Sequence, residues 1–155
     1  MSEHIAIIEW KRNQAMFTDN KYNREHTWKF DGVEIAASAS PHIVPVPYSN
    51  PACVDPEEAF VASLSSCHML FFLSIAAKRK FVVESYVDKA VGVIEKNANG
   101  QLAITKVYLR PQVNFILEEI PTKEQLEKMH YEAHHSCFLA NSVQTEIIIE
   151  IIYQI

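Results

Sequence analysis

The sequence predicts an α+β fold from three observations. The N-terminal third alternates in the two-residue period of strands. One long uncharged run, Ala59–Ala77, carries helix punctuation at both ends, and two later segments rich in β-branched residues are joined by a turn. The chain has 155 residues, 48% of them hydrophobic and only 3 glycines, which suits one ordered domain spanning residues 1–155. Its 14 Lys+Arg against 19 Asp+Glu give a net charge of −5. With no basic cluster beyond Lys78-Arg79-Lys80, nucleic acid is disfavoured as a partner.

The elements follow in order. Ile5, Ile7 and Glu9 alternate with Ala6, Ile8 and Trp10 in a first strand. Asn23–Phe30 and Val33–Ala39 flank Asp31-Gly32, a hairpin signal. Pro41–Pro51 holds four prolines and reads as an extended loop without regular hydrogen bonding. The long helix then opens with Asp55 as N-cap, Pro56 at the first helical position and Glu58 at capping-box spacing. Lys78, Arg79 and Lys80 fall in its last turn, where cations complement the dipole. Four serines, Cys67 and His68 inside the run argue for a buried core helix over a membrane span. Apolar residues on all its sides imply cover all round, more than one small sheet supplies, so a partner subunit is expected.

Val82–Lys96 and Leu102–Phe115 read as strands joined by the turn Asn97-Ala98-Asn99-Gly100. Thr122 and Gln125 form a second capping box. In the helix that follows, Leu126, Met129, Ala133 and Cys137 share one stripe. The tail Thr145–Ile155 sets Glu146, Glu150 and Gln154 against Ile147, Ile149, Ile151 and Tyr153, as a half-buried strand does.

Three cysteines without a CxxC are too few for a secreted disulfide framework. With no signal-peptide pattern at the N-terminus, a reducing, cytoplasmic setting is expected. Cys67 and Cys137 both occupy positions their helices would bury. A buried cysteine is most often a small hydrophobe, so packing and pairing both remain open. Cys67 lies roughly 18 Å beyond the helix cap, too far for the dipole to act on it. A reactive Cys67 therefore needs an arginine or an imidazolium brought from another segment. Of the four arginines, Arg79 is about three turns away along the helix, Arg110 before Pro111 reads as surface, and Arg24 beside Glu25-His26 remains by elimination. Glu57 suits a helix start on dipole grounds alone, and could serve a thiol only through an arginine, across a dimer interface. Metal is disfavoured, because the ligands in Cys67-His68 and in His134-His135-Ser136-Cys137 point in different directions on a helix. A Cys67–His68 dyad fails for the same reason, since neighbours diverge by about 100°. His134 and His135 read as a polar helix end.

At DPEEAFVASLSSCHMLFFLSIAAKRKFVVESY, 55–86, and AHHSCFLANSV, 133–143, the chain resembles the OsmC/Ohr family of osmotically inducible protein C and organic hydroperoxide resistance proteins. With the order of its elements, the resemblance covers nearly the whole chain. It implies an OsmC-like fold of antiparallel sheets wrapped around two central helices, an intertwined homodimer, and a cofactor-free thiol peroxidase site at the subunit interface. By position it makes Cys67 the peroxidatic cysteine and Cys137 the resolving one. It makes Glu57 the carboxylate that orients an activating arginine, and Arg24 that arginine. The implied chemistry reduces an organic hydroperoxide, closes a Cys67–Cys137 disulfide and reopens it with an external dithiol, from a lipoyl protein or a thioredoxin-like donor. Phe60, Phe71 and Phe72 are expected as apolar walls, and Cys53 has no assigned role. The rival expectation is a non-catalytic binding or stress-related protein on the same scaffold, with Cys67 packed and inert.

Overall fold

The computed structural model describes residues 1–153 and places in them two α-helices and eight strands in three sheets. The chain divides into two compact units, Met1–Ala59 and Phe60–Ile155.

In the first unit, β1 (Ile7–Glu9), β2 (His26–Phe30) and β3 (Val33–Ala37) form one antiparallel sheet. Phe30 pairs with Val33, so Asp31-Gly32 is a two-residue turn, with Gly32 at φ +78 where a side chain would be strained. The strands are shorter than the alternation suggests. Beyond Ala37 the backbone turns its bonds toward Val54, which accepts from Ser38 N–H and donates to Ala36. The proline-rich loop is not extended. Ile43 and Val44 donate to the Ser40 carbonyl, Tyr48 donates to Pro45, and the Ser49 hydroxyl donates to Val44 at 2.6 Å. Prolines fix φ at a value that turns use, and the buried Ser40 and Ser49 help supply the bonds that close those turns.

The helix α1 (Pro56–Lys78) begins where the chain composition says it should. The Glu58 N–H donates to Asp55 Oδ1 at 2.8 Å and the Asp55 N–H reaches Glu58 Oε2 at 3.4 Å. The helix ends at Lys78. Arg79 and Lys80 lie just past it, Lys80 at φ +65 while Phe81 N–H caps the Ala76 carbonyl at 3.0 Å. By length and composition α1 could cross a membrane, but its core role is visible in Leu64, His68, Phe72 and Ala76, buried at four-residue steps. Cover all round is not met by this chain: Ser66, Leu70 and Ser74 are exposed, Leu70 at 60%.

In the second unit each expected long strand is broken in two. Val82–Lys96 becomes β4 (Val83–Asp88) and β5 (Val91–Lys96), and Leu102–Phe115 becomes β6 (Leu102–Leu109) and β7 (Pro111–Phe115). The breaks coincide, with Asp88 opposite Pro111 and Asp88 Oδ1 accepting the Arg110 N–H at 2.6 Å. Proline cannot donate to a ladder, so the pair leaves one sheet and joins another there. β4 pairs with β7, while β5 and β6 join β8 (Glu146–Ile149) in a second sheet. The expectation of wholly antiparallel sheets fails at β8, which runs parallel to β6. A parallel partner needs a crossover, and α2 (Lys123–Ser136) lies in it. The tail strand is shorter than the alternation of Thr145–Ile155 implies, and its Gln154 and Ile155 lie outside the described residues.

Two clusters divide the length of α1. Leu64 packs with Val107 and Leu109, joined by Phe60, Val61, Ile147 and Ile149 from around the β5–β6–β8 sheet. Phe72 and Ala76 pack with Val113, Met129 and Ala133, so the second half of α1 meets β7 and α2. The α2 cap is reciprocal: Gln125 N–H donates to Thr122 Oγ1 at 3.2 Å and Thr122 N–H to Gln125 Oε1 at 2.8 Å.

Candidate functional site

Cys67 sits at mid-length on α1, one turn after the buried Leu64, on a half-buried flank. Cys137 closes α2. Its N–H still donates to the His134 carbonyl at 3.3 Å, while its own φ and ψ of −69 and 114 leave the helix. This is the C-terminal extension of the Met129–Ala133 stripe, and it puts Cys137 at 1% exposure. The two helices bring the cysteines together. Both are free thiols, and Cys67 lies close enough to Cys137 to act on its ionisation. The Cys137 sulfur accepts from the Ala140 N–H at 3.4 Å. Burial, then the neighbouring Cys67 thiol, push the Cys137 thiol above its ordinary value, so this sulfur is held as a thiol.

Beside the thiols stands a pair that helical spacing could have disclosed. His130 lies one residue from Met129 on the same buried side of α2, and His68 follows Cys67 on α1. His68 Nε2 and His130 Nδ1 are 2.9 Å apart, in rings that are parallel to within 2°. Burial pushes His68 down to about 4 and His130 down to about 3, each further lowered by a neighbouring imidazole, His134 and His68 respectively. Both rings are therefore neutral near pH 7, and His68 brings no positive charge to its neighbour Cys67.

Of the expected apolar walls, Phe72 belongs to the core. It is fully buried and stacks on His130 at 4.2 Å between ring centroids. Phe60 packs with Leu64. Phe71, one turn beyond Cys67, meets Phe138 edge-on at 5.2 Å, and Phe138 directly follows Cys137. Phe138 is the aromatic that sequence reasoning missed, for its contact is made only when the two helices dock.

Arg79 is held by Glu132, whose two oxygens accept from its Nη2 at 2.7 and 2.8 Å, and Arg110 donates to Glu150 at 2.7 Å. The contacts of Arg24 lie in the first unit. Its guanidinium donates to the Asn20 side chain at 2.7 Å and to the carbonyls of Asn20 and Tyr22, and it stacks 3.7 Å over the Tyr22 ring. It lines a cleft of about 460 Å³ with Trp10, Phe17, Tyr22 and His26. Glu57, in the first turn of α1, is not among its partners, and Glu57 Oε2 is buried without a hydrogen-bond partner among the described residues. His134 and His135 occupy the last turn of α2, as a polar end would. Cys53 is half-buried, and burial with the charge of Glu25 raises its thiol.

A family model described as OsmC-like protein matches residues 49–152. An OsmC-like protein of unknown function from Vibrio cholerae O1 biovar eltor str. N16961 is 64% identical in sequence, with a TM-score of 0.96 over 98% of this chain and 100% of that one. An organic hydroperoxide resistance protein OsmC from Legionella pneumophila superposes with a TM-score of 0.67 at 15% identity, covering 97% and 96% of the two chains. An organic hydroperoxide resistance protein from Elizabethkingia anophelis gives 0.70 at 17% identity over 97% and 94%. These two share the fold with this chain. No curated protein sequence matches it.

Proposed function

The chain belongs to the OsmC-like protein family, and from that premise we propose a thiol-dependent peroxidase that reduces organic hydroperoxides to alcohols. The observation that carries this reading is that Cys67 and Cys137, from two helices, are free thiols close enough for Cys67 to raise the Cys137 thiol. In this reading the Cys67 thiolate attacks the terminal oxygen of ROOH. The O–O bond breaks, Cys67 becomes a sulfenic acid, and RO⁻ takes a proton to leave as ROH. The Cys137 sulfur then attacks the sulfenic sulfur, water departs, and a disulfide closes. An external dithiol, from a lipoyl protein or a thioredoxin-like donor, supplies the two electrons that reopen it.

Unequal exposure fits unequal roles. Half-buried Cys67 is open to attack a substrate, whereas buried Cys137, slow to ionise, is kept from reacting with peroxide itself until a sulfenic acid forms beside it. Phe71 and Phe138 give that flank the apolar character an organic peroxide prefers. Arg24 is assigned to stabilise the thiolate and Glu57 to orient the guanidinium. The unpartnered Oε2 of Glu57 supports this, because a buried carboxylate oxygen calls for a donor. The exposed flank of α1 supports a homodimer with the site at the subunit interface.

The neutrality of His68 favours the second reading, an inert Cys67 in a binding or stress-related protein. One comparison separates them. Cys67→Ser should abolish thiol-dependent consumption of cumene hydroperoxide while the circular dichroism spectrum is unchanged. In the native protein, one equivalent of hydroperoxide should yield a Cys67–Cys137 linked peptide by mass spectrometry. Unchanged consumption in the Cys67→Ser protein would end the peroxidase reading.

A further inference from the structure

The two histidines next to the thiols have no part in the chemistry above, yet they are among the most buried polar side chains described. His68 and His130 are each 1% exposed, and Phe72 stacks on the His130 ring at 22°. A neutral imidazole carries one N–H, so in the 2.9 Å contact one ring donates and the other accepts. Whichever way it runs, one outer nitrogen keeps an N–H. The outer nitrogens, His68 Nδ1 and His130 Nε2, are both buried without a partner among the described residues.

A buried donor left unsatisfied is costly, so an apolar pair of similar volume would make the more stable core. What the bond adds is geometry. Apolar side chains slide past one another, whereas a hydrogen bond between two ring nitrogens fixes length and direction together. The bond ties α1 to α2 one residue from Cys67 on the first helix and about two turns before Cys137 on the second. His68 is the residue after Cys67, and His130 lies on α2, the helix that Cys137 caps. The other contacts between the helices are either apolar packing, of Phe72 and Ala76 with Met129 and Ala133, or partly exposed, as with Phe71 to Phe138 and Arg79 to Glu132.

The geometry points to His68 and His130 as positioning residues of the dithiol: an uncharged, hydrogen-bonded pin between α1 and α2 that sets the separation at which Cys67 and Cys137 meet. A disulfide closes only within a narrow range of Cα separation, about 4.4–6.8 Å, so a pin that holds the helices serves the closing step above all. Attack on the peroxide by Cys67 alone does not need it. The inference rests on the reading of Cys67 and Cys137 as a redox pair.

The test uses the intact protein and two oxidants, cumene hydroperoxide and diamide, since diamide closes a dithiol without any peroxidase step. H68Q places an amide nitrogen where His68 Nε2 lies, and H68N ends short of it. H130L removes the bond from the other side. With either oxidant, H68N and H130L should form the Cys67–Cys137 disulfide up to about a hundredfold more slowly, the scale that a misplacement near 1 Å brings. With the hydroperoxide, a sulfenic acid trapped by dimedone should accumulate at Cys67. H68Q should recover most of the native rate, which a merely space-filling histidine would not explain. Equal closure rates in H68Q and H68N, or a folded H130L that closes as fast as the native protein, overturn the proposal. If H130L does not fold, the H68Q and H68N pair decides alone. A native protein that closes with diamide but ignores hydroperoxide would sink the peroxidase reading and leave this comparison intact.

Discussion

Cys137 sits where burial and a neighbouring thiol both oppose its ionisation, and only backbone N–H groups of Ala140 and Leu139 pull the other way. Its sulfur should therefore resist iodoacetamide at pH 7 in the folded protein and become labelled once urea exposes it, a difference that peptide mass spectrometry reads directly. The histidine pair makes a second prediction at this scale. Both imidazoles are depressed, His68 to about 4 and His130 to about 3, from an ordinary 6.5. Unfolded chains take up these protons first as acid is added. The stability the pair contributes is thus present above pH 6.5 and is lost as the pH falls toward about 4 and below. Urea midpoints should drop across that window, by up to about 1.4 kcal/mol per pH unit for each proton. H130L should flatten the fall in part, leaving His68, the carboxylates and the partly buried His134 to set the remainder.

Between elements, α1 comes close to β5 at Gly92. A Cβ added at Gly92 would stand 2.6 Å from Val61 Cγ2 and 3.5 Å from Ile104 Cγ2, so helix and strand touch through the missing side chain. Gly92→Ala should push them apart and destabilise the protein by about 1–3 kcal/mol, seen as a lower urea midpoint. The α2 cap is separable from this. Thr122→Ala removes the hydroxyl that accepts from Gln125 and should cost about 1 kcal/mol. Asp88 matters in another way, for its two oxygens serve different elements. One accepts from the Ser65 hydroxyl at 2.5 Å on α1, the other from the Arg110 N–H at the strand break. That carboxylate fixes where both strand pairs change sheets relative to the helix that carries Cys67.

At the scale of the whole molecule, α1 has a face that its own chain leaves open. Leu70 stands 60% exposed between Ser66 and Ser74, small residues that let another backbone come close. Apolar strand residues Ile7, Ile8 and Val33 are exposed as well, at 54%, 58% and 52%. A homodimer would cover such surfaces, and in the proposed function it also completes the site. Leu70→Arg should shift the sedimentation coefficient from dimer to monomer and take hydroperoxide consumption with it. A variant that stays dimeric, or a native protein that sediments as a monomer, would remove the subunit interface from the mechanism.

Local rules wrote much of this into the chain. Both capping boxes, the Asp31-Gly32 turn and the stripe of Met129, Ala133 and Cys137 are set by residues within a turn of one another, so spacing alone determined them. The same spacing said that Cys67 and Cys137 lie on helix positions that pack, and stopped there. Which residue each one meets, the pairing of His68 with His130, the contact of Phe138 with Phe71, and the parallel placement of β8 were decided by docking α1 against α2 and the sheets. Side chains at one helix turn see only their neighbours in sequence. The hydrogen bonds that bring distant segments into register exist only once the apolar faces have closed on each other.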